Sequence, residues 1–108
     1  MEHYKKIYGI LTSAAKSGSK TTYGEIARKT GISARSASLH GIFNNICTDE
    51  VKSGRPMLCA VAVRKDTGIP GTGFFKVAEG LGKLKKNSSS GAFYEEELKK
   101  VYKYWRKK

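Results

Sequence analysis

The chain is poor in several things. It has two cysteines, Cys47 and Cys59, and two histidines, His3 and His40. Twelve positions separate the cysteines, so no C-x-x-C pair exists, and a zinc site is not expected. Both are expected as free thiols in the absence of a secretion signal. Acidic residues are scarce, 9 against 21 Lys and Arg, which leaves a net charge of +12. No apolar run approaches the ~20 residues a membrane span needs. The start, MEHYKKIYG, is charged and has no long apolar centre, so a cytoplasmic location is expected.

What is present suits one soluble domain. A length of 108 residues with 39% hydrophobic content supports one modest core. The excess positive charge opposes compaction by self-repulsion unless an anionic partner relieves it. Nucleic acid is the first such partner, because neutralising phosphates releases condensed counterions.

Residues 3–16 read as a helix: Tyr4, Ile7, Tyr8, Leu11 and Ala15 recur on one face, and Gly18 suits its C-terminal cap. In TTYGEIARKTG, Thr22 precedes Glu25 by three positions, the capping-box spacing, and Gly31 suits the residue after the helix end. Ser33 is a good N-cap for a third helix over 34–46, with Leu39, Ile42, Phe43 and Ile46 inward. Arg35, Ser36, Ser38 and His40 fall mainly on its other sides. Two short helices joined by a Gly-containing turn outline a helix-turn-helix over about 22–46. A second helix that starts small, polar and arginine-bearing suits entry into the DNA major groove.

Residues 48–56 read as a polar connection and 57–63, MLCAVAV, as a buried strand. Asp66 and Gly68 supply a turn. A strand, a basic turn and a return segment would make a short β-hairpin wing over about 57–75, with Arg64 and Lys65 placed to touch phosphates. FFKVAEGLG reads as a short helix or a strand running into one, and 83–91 as a flexible basic loop. The final helix, about 92–106, carries Tyr94, Leu98, Val101, Tyr102 and Trp105 on one stripe, which reads as core. Glu95, Glu96 and Glu97 read as a solvated helix start that complements the dipole. The expected fold is α+β: a single, mainly helical, winged-helix-like domain with a C-terminal amphipathic helix.

Three motifs are discounted as chemistry. Asp66-Thr67-Gly68 has no second copy for an aspartic protease. GIPGTG lacks the following Lys-Ser pair of a P-loop. The consecutive glutamates point in different directions and do not form a metal site. Cys59 needs a thiolate to act as a nucleophile. Its neighbours Leu58 and Ala60 raise a thiol pKa, so a packed structural cysteine is expected. No cofactor is expected.

The order GSKTTYGEIARKTGI, an arginine-bearing helix ending in Asn, a strand with an early cysteine and a Gly-rich segment resembles a known family. It is similar to the C-terminal domain of alkylguanine-DNA alkyltransferases and to the alkyltransferase-like proteins. The resemblance covers roughly residues 18–82 and implies a winged-helix domain. Such domains bind DNA in the minor groove and flip out a guanine, an arginine filling the gap. Arg35, nine positions before Asn44, matches that arginine; Tyr23 matches the family tyrosine leading into the first of these helices; Cys59 falls near the alkyl-acceptor cysteine. The acceptor motif P-C-H-R-V is here P-M-L-C-A-V, without the His that activates the thiol, which argues against alkyl transfer. GRPMLCAVAVRKDTGIPGTGFF also resembles small bacterial proteins of similar length, for which no activity is implied.

The sequence therefore predicts a non-catalytic DNA-binding protein, with duplex DNA as partner. Ser33, Arg35, Ser36 and His40 would read the DNA, and Thr22, Tyr23, Arg64 and Lys65 would hold its backbone. Two alternatives stay open: a thiol enzyme acting on modified DNA through Cys59, and a basic protein-binding adaptor or inhibitor.

Overall fold

The computed structural model describes residues 2–33, 37–85 and 89–106. The chain order is α1 (Glu2–Lys16), β1 (Thr21–Thr22), α2 (Tyr23–Thr30), α3 (Ala37–Lys52), a 3-10 turn (Leu58–Val61), β2 (Ala62–Val63), α4 (Thr72–Gly80) and α5 (Ser90–Arg106). The result is a small, mainly helical domain with a two-stranded parallel sheet, which is α+β at the coarse level. Among the described residues no helix is long and apolar enough to cross a membrane.

Local chemistry sets the helix ends. The Thr22 hydroxyl accepts from the Glu25 N–H at 3.1 Å and caps α2. The Glu25 carboxylate accepts from the Thr21 hydroxyl instead of closing the reciprocal half of a capping box. Gly31 ends α2 at φ +79°, a left-handed conformation without a Cβ penalty, and its N–H reaches the Ala27 carbonyl at 2.8 Å. Helix α3 runs on to Lys52, through residues expected as a polar connection. Its added turns are kept by Cys47 and Glu50, both buried.

The apolar run at 57–63 departs most from expectation. Met57–Val61 do not form a strand; Leu58–Val61 coil as a 3-10 turn, and only Ala62–Val63 are extended. That short strand pairs in parallel with β1, Thr21 opposite Ala62 and Thr22 opposite Val63. No antiparallel hairpin exists among the described residues. The reason is burial from all sides: every residue from Met57 to Val63 is buried, wedged between α1, α3 and α5. A wing strand would expose one face; this segment is the centre of the core. After it, the Arg64 N–H reaches the Ile69 carbonyl and the Gly68 N–H the Arg64 carbonyl, which closes a tight turn. The chain then enters α4 rather than returning as a strand.

Around this plug stand Ile7, Leu11 and Ala15 of α1, Leu39, Phe43 and Ile46 of α3, and Tyr94, Leu98 and Val101 of α5. Each fully buried aliphatic side chain contributes about 1.5–3 kcal/mol relative to exposure. Of the α5 stripe that the spacing places in the core, Tyr94, Leu98 and Val101 are buried, and Tyr102 and Trp105 are partly buried against them.

The glutamates expected at the start of the last helix need a correction: α5 begins at Ser90, and its first turn holds no acidic residue. Glu95 and Glu96 are exposed, but Glu97 is 1% exposed. Its carboxylate accepts from the Met57 N–H at 2.8 Å and from Lys83 Nζ at 2.6 Å. Glu97 thereby pins the entry to the buried turn, a contact across 40 residues that helical spacing does not reveal.

Candidate nucleic-acid interface

A cleft of about 750 Å³ opens where the start of α2, the middle of α3, the turn after β2 and the start of α4 meet. Tyr23 is its hinge post. As the first residue of α2 its ring packs on Phe43, centroids 5.4 Å apart, and stands edge-on to His40 at 6.4 Å. Its hydroxyl accepts from the Gly71 N–H at 2.9 Å, which ties the start of α2 to the start of α4. Burial raises the Tyr23 pKa, so the phenol keeps its proton. Lys20 Nζ donates to the Gly68 carbonyl at 3.1 Å and draws the turn 64–69 toward the same edge.

Arg64 and Lys65 stand on the rim, both exposed. Arg64 makes a two-pronged contact with Asp66, Nε to Oδ1 at 3.1 Å and Nη2 to Oδ2 at 2.9 Å. Both side chains are more than half exposed, so water screens the pair and it holds the guanidinium in place at little energetic gain.

Cys59 and Cys47 line the cleft, both buried and both free thiols. The Cys59 Sγ–H donates to the Phe43 carbonyl at 3.3 Å. Burial first, then the neighbouring Cys47, pushes the Cys59 pKa well above the usual thiol range. The geometry therefore holds a thiol, not a thiolate.

Of the residues selected from the sequence, Tyr23, His40, Arg64, Lys65 and Cys59 meet at this one cleft. Thr22 lies beside it, its hydroxyl engaged in the α2 cap. Ser33 is exposed and is not part of the cleft lining. Arg35 and Ser36 lie outside the described residues. Sequence reasoning did not select Phe43, Phe74 or the Gly71–Gly73 segment as site residues. Phe43 and Phe74 look like ordinary core residues in the chain, and only the Tyr23–Gly71 bond shows that the glycine-rich segment faces the cleft.

Among the described residues no three His, Cys, Asp or Glu side chains group to hold a metal ion. No protein-family model, curated protein or solved structure matches this chain.

Proposed function

We propose that this protein is a non-catalytic DNA-binding domain of winged-helix type. In this reading α2 and α3 are the helix-turn-helix, and the turn 64–69 does the work of a wing in place of a two-stranded hairpin. The observation that carries it is convergence: Tyr23, His40, Arg64 and Lys65, the residue types suited to DNA contact, border one cleft of a +12 chain. Lys65 and Arg64 supply phosphate contacts. The cleft, walled by Tyr23, Phe43 and Phe74, takes a base turned out of the stack, since enzymes and readers of extruded bases hold them between aromatic and apolar side chains. Arg35 fills the gap left in the duplex, as the alkyltransferase resemblance implies.

The test is a titration of duplex DNA, with and without a modified base, across salt concentrations. Binding should fall steeply with salt, and Arg64→Ala with Lys65→Ala should reduce the magnitude of the log–log slope by about 0.9 per lost phosphate contact. Absence of binding at low salt ends the proposal.

A second reading, alkyl transfer to Cys59, draws on one observation: the thiol lies in the cleft. Its raised pKa opposes it. Mass spectrometry after incubation with alkylated duplex should return Cys59 unmodified.

A further inference from the structure

A second concavity, of about 600 Å³, lies at the Lys52 end of α3. Roughly 16 Å of helix axis separates Val51 at this concavity from His40 at the cleft. Its lining is part apolar, from Val51, Pro56 and the Tyr104 ring, and part cationic, from Arg55, Lys83, Lys100 and Lys103.

Two buried carboxylates organise these cations from behind. Glu50, 1% exposed, receives Arg55 Nε at 2.9 Å on Oε2 and Arg55 Nη2 at 3.0 Å on Oε1. The Tyr8 hydroxyl adds a third bond at 2.8 Å. Glu97 receives Lys83 and the Met57 N–H. Glu50 thus uses both of its oxygens, whereas both Glu97 bonds fall on Oε2 and its Oε1 lies 4.0 Å from Lys100 Nζ. The end of α3 is similarly occupied. Gly54, at φ +79°, bonds the Val51 carbonyl at 3.0 Å, and the Arg55 N–H bonds the Glu50 carbonyl at 2.8 Å. The Val51 and Glu50 carbonyls at this helix end are thus already paired.

Four cations against two carboxylates leave a surplus of two in this lining. Lys100 sits 4.0 Å from Glu97, beyond hydrogen-bond range, with 62% of its side chain exposed. Lys103 is exposed and has no ion-pair partner among the described residues. Two ammonium groups with uncommitted donors, in a partly apolar lining, match a ligand that carries both a phosphate and an apolar or aromatic body.

We propose that this concavity binds a small organic phosphate, its phosphate held by Lys100 and Lys103 and its body against Tyr104, Val51 and Pro56. The site is separate from the DNA cleft and does not depend on that reading.

The probes are adenosine 5′-monophosphate and inorganic phosphate, titrated into the full chain by calorimetry and by amide chemical shifts. The nucleotide should bind saturably, move the amides of 51–56 and 100–104, and weaken with salt. Lys100→Gln with Lys103→Gln should loosen it about tenfold, the loss expected for a charge-assisted contact. Both side chains are exposed, so the fold is kept. The charge-matched pair Lys5→Gln with Lys16→Gln, on the exposed side of α1, should bind as the parent does. An equal loss in both pairs, or no saturable binding, overturns the site. Inorganic phosphate binding as tightly as the nucleotide overturns the role of the apolar lining. Displacement of the nucleotide by short duplex DNA would make the occupant a nucleic-acid backbone and overturn the small-molecule assignment. A chain that fails to bind DNA but passes these tests refutes the DNA reading alone.

Discussion

At the cleft end of α3, Arg64 reaches only to Asp66, and both side chains stand in water. At the Lys52 end, Arg55 reaches Glu50, whose carboxylate is sealed from it. The two pairs have nearly the same bond lengths and opposite consequences. An exposed pair gains little, because water competes for both partners. A buried carboxylate that loses its partner is left uncompensated in a low-dielectric interior, which is strongly destabilising. The cations at the cleft are therefore available to a ligand, whereas Arg55 and Lys83 are committed to the fold.

The comparison can be broken by removing the cation from each buried carboxylate in turn. Arg55→Ala or Lys83→Ala should cost about 3–5 kcal/mol in urea unfolding, since each leaves a buried carboxylate uncompensated. Values near those of a surface substitution would show that the buried pairs are not structural. A second effect of the Glu50 cluster is read by pH. The Tyr8 phenol, desolvated and donating to Glu50, has its pKa pushed from 10.0 up to about 12. The folded state holds this proton where the unfolded chain releases it. Its contribution is complete below pH 10 and is lost as the pH rises from 10 to 12. Tyr8→Phe should flatten the stability curve over that window.

At the cleft, Tyr23→Phe removes the acceptor for the Gly71 N–H. The expected cost is about 1 kcal/mol by chemical denaturation, with a larger relative loss in DNA affinity if the junction of α2 and α4 positions the contact surface. The smallest change is at Asp66. Asp66→Asn should alter stability by less than about 0.5 kcal/mol, yet tighten DNA binding by releasing Arg64 and removing a negative charge. Unchanged affinity would show that Arg64 does not face phosphate.

Much of the helical framework was legible in the chain. Helix α1, the Thr22 cap and Gly31 end of α2, and the aromatic stripe of α5 all follow from local periodicity and capping, which act over four residues or fewer. The 57–63 run was legible as buried but not as a turn. A continuous apolar stretch says that every side is covered; it does not say what covers it. The cleft was half legible: Tyr23, His40, Arg64 and Lys65 stood out by residue type, while Phe43 and Phe74 carried no local sign distinguishing a cleft wall from core.

The sequence by itself determined the charge, the two ends of α2 and the apolar faces of α1 and α3, because each depends on neighbours a turn away or on composition alone. Tertiary structure decided that β2 pairs with β1, that Tyr23 meets Gly71 across 48 residues, and that Glu50 and Glu97 are buried while Glu95, Glu96 and Asp66 are not. Burial of a carboxylate requires partners brought from distant segments to meet its desolvation, and no local pattern in the chain records where those partners arrive.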